Sequence, residues 1–154
     1  MKRVYIDMDG VLADYESLNN EFSWKEKSRL HNLPIHKIEG SFLALPLMPD
    51  AKWAFDTLNK FYEVHLLSTA PWGSPHAWIE KRLWAEEKLG PEVFKRLTLT
   101  HHKGYLIGDY LIDDRIANGV DKFQGEHIHF GTDKFPDWLS VLRYLLNKDF
   151  GEKI

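Results

Sequence analysis

Four short stretches of the chain hold residue types that could do chemistry together: Asp7-Met8-Asp9-Gly10-Val11, Ser68-Thr69-Ala70, His101-His102-Lys103 and Asp113-Asp114. Each follows or closes a short apolar run. If those runs are strands of one parallel sheet, their carboxyl ends meet at one rim, which is where open α/β sheets collect ligands. The rim would then gather carboxylates from Asp7, Asp9, Asp113 and Asp114, hydroxyls from Ser68 and Thr69, and the Lys103 ammonium. Carboxylates packed together repel one another unless a cation sits among them. Hard oxygen ligands, in a chain with no cysteine, point to Mg2+ rather than zinc. A lysine and a hydroxyl suit an anion instead. A phosphate bridging the metal and Lys103 would satisfy both sets, so the constellation reads as a Mg2+-dependent phosphoryl-transfer site. Taken singly, each station has a plainer reading. Asp-x-Asp can be a solvated turn, Lys103 a surface lysine, Thr69 a helix cap and Asp114 a partner for Arg115. The ordered set is what favours the site.

The elements that must position these residues are legible as an alternation. Arg3–Asp7, Val64–Ser68, Leu97–Thr100, Tyr110–Asp113 and His127–Phe130 are short enough for strands and too short for helices. Between them, Asp50–Phe61 places Ala51, Ala54, Leu58 and Phe61 at helical spacing. Ser74–Leu89 opens on Ser-Pro and stops at Gly90-Pro91. Pro136–Leu146 carries Trp138, Val141, Leu142 and Leu145 on one side. The alternation predicts an α/β fold: a Rossmann-like, doubly wound, mostly parallel five-stranded sheet covered on both faces. One stretch breaks it. Residues 14–48 show no convincing strand, and Tyr15, Leu18 and Phe22 have helical spacing. That stretch reads as a small helical cap inserted after the first strand. The chain is thus expected to be one domain, with a core of residues 1–13 and 49–154 and a cap of residues 14–48.

Composition narrows the function classes. The 154 residues are 44% hydrophobic and 14% aromatic, too apolar for a disordered segment and of a length that suits one domain. The net charge of −3 and the absence of a basic block argue against a nucleic-acid polymer as partner. No apolar run approaches the ~20 residues of a membrane span or the ~7–15 of a signal peptide, so a soluble cytoplasmic protein without a membrane partner is expected. Trp53, Trp78, Trp84 and Trp138 are expected in packing roles. His127 and His129 would share one strand face, and a zinc site built on the histidines is the weaker reading.

The order Asp7-Met8-Asp9-Gly10-Val11, Thr69, Lys103, Asp113-Asp114 resembles the four motifs of the haloacid dehalogenase superfamily of phosphatases. The likeness extends to one family within it. Asp7 through Tyr15, Trp84-Ala85-Glu86-Glu87-Lys88-Leu89-Gly90-Pro91, Leu97-Thr98-Leu99-Thr100 with Lys103, and Leu111-Ile112-Asp113-Asp114 are similar to the 5′(3′)-deoxyribonucleotidases. The resemblance implies an enzyme, a phosphoric monoester hydrolase acting on nucleoside monophosphates through an aspartyl-phosphate. Asp7 would be the nucleophile and Asp9 the general acid and base. Asp7, the Asp9 carbonyl, Asp113 and Asp114 would hold Mg2+. Thr69 and Lys103 would bind the phosphate, with Ala70 standing where a serine is usual. Tyr15, Trp24 and Phe42 would line the nucleoside pocket. A homodimer is also implied. The chain departs from the family in a shorter insertion, in Ala70, and in His101-His102 where an arginine–aspartate pair is usual; none of these removes a catalytic group. Two other readings remain at this point: a phosphatase of other small phosphomonoesters such as sugar phosphates, and a non-catalytic nucleotide-binding domain.

Overall fold

The computed structural model describes residues 1–151. Its centre is a sheet of β1 (Arg3–Ile6), β2 (Glu63–Ser68), β3 (Leu97–Leu99), β4 (Ile107–Asp113) and β5 (Gln124–His129). The strand order is β3-β2-β1-β4-β5, and every pairing is parallel. The fold is therefore α/β and Rossmann-like. β1 lies in the middle, and Ile6 is in register with Leu66 on one side and Ile112 on the other. That register brings the chain just past each strand to one rim. Asp7 is fixed there by its own N–H, which donates to the Ile112 carbonyl at 2.9 Å.

Both sheet faces are buried. Val4, Ile6, Val64, Leu66, Tyr110, Ile112 and Ile128 join the main core. Packed on it are α2 (Ala51–Phe61), α3 (Pro75–Leu89) and α4 (Trp138–Phe150). The alternate residues Tyr5, Leu67 and Leu111 form a second, smaller cluster with Val120 and Phe123. Helical segments thus cover both faces, but unequally: the second cluster is closed by short 3-10 turns at Lys103–Tyr105 and Val120–Lys122.

Element ends differ from the sequence expectation for physical reasons. β5 starts at Gln124 because an edge strand pairs by its backbone, and its first residues are polar and exposed. α4 starts at Trp138, where Asp137 accepts from the Ser140 N–H at 2.9 Å in a reciprocal capping box. It runs on to Phe150, past the last apolar residue of the repeat. Within residues 14–48, Tyr15, Leu18 and Phe22 do not share a helix. A 3-10 turn at Ser17–Asn20 precedes α1 (Phe22–His31), with the extended residue Glu21 between them. Phe22 is 77% exposed as a result. The two ends of this segment close on each other, Asp14 N–H donating to the Pro46 carbonyl and Met48 N–H to that of Leu12, each at 2.8 Å. Trp84 and Trp138 are buried, their indole N–H groups donating to the carbonyls of Leu45 (2.7 Å) and Val11 (2.9 Å). Trp78 is half-buried, whereas Trp53 is 43% exposed and packs nothing central. Among the described residues no helix is long and apolar enough to cross a membrane.

At the sheet's opposite end, Asp149 of α4 accepts hydrogen bonds from Lys2 Nζ (2.7 Å), the Tyr62 hydroxyl (2.8 Å) and the Tyr110 hydroxyl (2.8 Å). Burial alone would raise this carboxyl; the three donors outweigh it and hold it below the usual range. A carboxyl depressed in the folded state contributes stability above its unfolded pKa and loses it as pH falls. Asp149→Asn should therefore cost about 1.5–3 kcal/mol at neutral pH. The gap from wild type should shrink below about pH 4. Urea unfolding across pH checks this, and a deficit that is constant down to acid pH would contradict it.

Candidate active site

The turn after β1 is built by alternating burial. Met8, Val11 and Leu12 are anchored in the core, and the N–H groups of Leu12 and Ala13 both donate to the Met8 carbonyl. Asp7 and Asp9 line a rim cavity of about 260 Å³ with Ser68, Thr69, His101, Lys103 and Asp113. Gly10 is required directly after Asp9. Its φ is +81°, and a Cβ there would lie 2.2 Å from Asp114 Oδ2.

Three acids and one ammonium make the floor. Lys103 Nζ is buried and donates to Asp113 Oδ2 at 2.6 Å and to Asp7 Oδ1 at 3.1 Å. Its backbone is held by donation to the Asn118 carbonyl at 2.7 Å. Burial opposes the lysine's charge, but Asp7 and Asp113 outweigh it and keep the ammonium protonated. Burial pushes Asp7 up to about 6 against the pull of Lys103. Asp113 is also raised by burial, against the same lysine. Asp114 is pushed up to about 6, by burial first and then by the charge of Asp7. Oxygens of Asp7, Asp113 and Asp114 all lie within 4.8 Å of one another. Asp113 is engaged at both oxygens, by Lys103 and by the Arg115 N–H, whereas Asp114 Oδ1 is buried with no partner. Three carboxylates facing one ammonium, with an orphaned oxygen among them, fit a hard divalent cation.

A second lysine reaches the rim from α3. Lys81 is 1% exposed, and its Nζ lies 2.6 Å from Asp9 Oδ2 and 3.1 Å from Ser68 Oγ. The preceding residue, Glu80, is also buried. Its carboxylate accepts the backbone N–H groups of Gly40 (3.0 Å), Phe42 (3.1 Å) and Leu43 (3.4 Å). Adjacent residues of one helix thus hold Asp9 and the segment after β1. Sequence reading passes over both, because a Glu-Lys pair in a helix normally marks its wet face.

The other sequence candidates fall in distinct places. Thr69 lines the rim cavity, but its hydroxyl donates to the Thr100 carbonyl at 2.7 Å. Ala70 is fully buried in the core and is not among the residues that line the rim cavity. Tyr15 lines the rim cavity and also a neighbouring cavity of about 300 Å³, which Phe42, Leu18, Ile35 and Ser41 enclose. Tyr15 and Phe42 are 6.1 Å apart, ring to ring. Trp24 is not among the residues that line either cavity; Lys27 sits over its ring at 4.3 Å. His127 and His129 stack at 5.0 Å and donate from Nε2 to the carbonyls of Asp113 and Asp114, each at 3.0 Å. They brace the backbone of the acid pair.

No family model matches the chain. It is 49% identical over 146 residues to a 5′(3′)-deoxyribonucleotidase of Vibrio phage KVP40, spanning 95% of this chain and 85% of that one. The chain belongs to the 5′(3′)-deoxyribonucleotidase family. Its members are enzymes of the haloacid dehalogenase superfamily. The human cytosolic 5′(3′)-deoxyribonucleotidase is 27% identical over 168 residues, covering 91% of this chain and 78% of its own. A Bordetella bronchiseptica protein named for 5′(3′)-deoxyribonucleotidase, without the cytosolic designation, is 29% identical over 150 residues, covering 81% of each.

Glu80→Gln keeps the shape of the clamp but removes its charge. It should speed amide hydrogen exchange at Gly40, Phe42 and Leu43 while leaving the strands unchanged, read by mass spectrometry. Unaltered exchange at these three amides would contradict the clamp.

Proposed function

We propose that this chain is a Mg2+-dependent phosphatase that hydrolyses deoxyribonucleoside monophosphates through an aspartyl-phosphate on Asp7. The observation that carries the reading is the buried floor: Asp7 and Asp113 on one lysine, beside an Asp114 oxygen without a partner. The family's named activity supports the substrate class.

Asp7 Oδ attacks phosphorus, and the bond from phosphorus to the nucleoside oxygen breaks. Asp9, carrying its proton, gives it to that departing oxygen. The nucleoside leaves, and Asp9 then takes a proton from the water that attacks phosphorus, so that inorganic phosphate forms and Asp7 is restored. Lys103 neutralises the phosphate and the nucleophile together. Asp7, the Asp9 carbonyl and Asp114 would hold Mg2+, with Asp113 steadying Lys103. When bound, the ion offsets the carboxylate repulsion and draws charge from the phosphate oxygens. Residues 14–48 serve as a cap on a core of residues 1–13 and 49–154. The nucleoside passes Tyr15 into the cavity that Phe42 bounds. Lys81 positions Asp9 for the leaving oxygen.

Phosphate release from deoxynucleotides should require Mg2+ and stop with EDTA. Asp7→Asn should lower kcat at least about 10³-fold with the circular dichroism spectrum unchanged. Full turnover by a folded Asp7→Asn protein would overturn the assignment. Lys81→Met should cut kcat/KM, which reports steps only as far as departure of the leaving group, about 10–100-fold on a deoxynucleotide. It should do much less on p-nitrophenyl phosphate, whose leaving group departs without a proton. Equal losses on both substrates would show that Lys81 does not act through Asp9.

A further inference from the structure

The cavity beyond Tyr15 contains one group with no internal explanation. Ser41 is 3% exposed, lines this cavity, and its Oγ is buried with no hydrogen-bond partner. An unpaired buried hydroxyl lowers stability by about 1–3 kcal/mol relative to a satisfied one, so its retention calls for a reason. The two other hydroxyl and amide side chains lining the cavity are already engaged. Ser28 Oγ donates to the Leu33 carbonyl at 2.6 Å, and Asn19 Nδ2 donates to Glu16 at 2.7 Å. His36 also lines it, its carbonyl accepting from His76 Nε2 at 3.1 Å, and the rest of the wall is Tyr15, Leu18, Pro34, Ile35, Phe42 and Leu45. A largely apolar wall with a buried, unpartnered hydroxyl describes a pocket that holds a flat ring and reads one edge of it.

Ser41 also sits where its position is controlled. It lies between Gly40 and Phe42, the two residues whose N–H groups Glu80 accepts most closely. Its own N–H donates to the Ile38 carbonyl at 3.2 Å. The backbone is thus fixed on both sides while the hydroxyl remains free to turn about one bond, and turning toward a ligand breaks no existing hydrogen bond. The order along the molecule is phosphate rim, Tyr15, then this cavity. The sugar of a nucleotide would therefore lie near Tyr15 and its base beside Ser41.

We infer that Ser41 is a specificity-determining residue whose hydroxyl hydrogen-bonds the edge of the substrate's nucleobase. This rests on the nucleotide reading of the site. The experiment is a kcat/KM comparison of wild type and Ser41→Ala on the four common deoxynucleoside 5′-monophosphates, on deoxyribose 5-phosphate and on p-nitrophenyl phosphate. Ser41→Ala should lose about tenfold on its best nucleotide, mostly in KM, and change little on the two substrates without a base. Its Tm should equal or exceed that of wild type, since the substitution removes an orphaned hydroxyl. Equal losses on deoxyribose 5-phosphate and the nucleotide would assign the hydroxyl to the sugar and overturn the inference. An unchanged nucleotide kcat/KM would overturn it too. If wild type cleaves p-nitrophenyl phosphate but no nucleotide, the substrate reading itself fails, which is a separate outcome.

Discussion

A single ammonium holds the floor of the site together. Lys103 Nζ is shared between Asp113 and Asp7, and all three groups are nearly out of water. Buried charges are costly unless paired, and one positive charge facing Asp7, Asp113 and Asp114 leaves the floor net negative. The surrounding structure is arranged around that imbalance. β1 and β4 must be neighbours for Asp7 and Asp113 to reach the same lysine, which the central place of β1 ensures. The turn at Lys103 must be drawn to the loop after Arg115, which its backbone hydrogen bond to Asn118 accomplishes. Gly10 must lack a side chain so that Asp114 can close in. The residual negative charge is what fits the floor to a divalent cation.

The second organising element is α3, which carries charge inward. Glu80 and Lys81 are buried, while Ile79 is 66% and Leu83 45% exposed. For about one turn the helix therefore presents its polar residues to the protein and its apolar ones to solvent. Glu80 satisfies amides of the segment after β1, and Lys81 pairs with Asp9. Lys81 Nζ also lies 5.0 Å from the Phe42 ring, so the acid and the pocket wall share a neighbour.

The sheet and its rim were legible because buried parallel strands read as short apolar runs, and catalytic types stood at their ends. Leu66-Leu67-Ser68 and Leu111-Ile112-Asp113 needed no more than that. β5 begins before its apolar run, because Gln124–Glu126 pair at an edge and carry no apolar pattern. The turn structure of residues 15–22 was obscured because Phe22 falls at helical spacing by chance and points to water. Lys81 and Glu80 were invisible for a stricter reason. Periodicity assigns charge to the wet face, and only the folded geometry shows that here the faces are exchanged. Thr69 and Ala70 divide at the rim: Thr69 lines the cavity with its hydroxyl engaged by the Thr100 carbonyl, and Ala70 is buried in the core.

The central claim is that Asp7 itself takes the phosphoryl group. The direct measurement is to quench the enzyme in acid during turnover of a deoxynucleotide with Mg2+, reduce with borohydride, and map the modified residue by mass spectrometry. The account predicts reduction of the acyl phosphate to homoserine at position 7 alone, absent without substrate. Reduction at another carboxylate, or turnover at steady state with position 7 never modified, would contradict it.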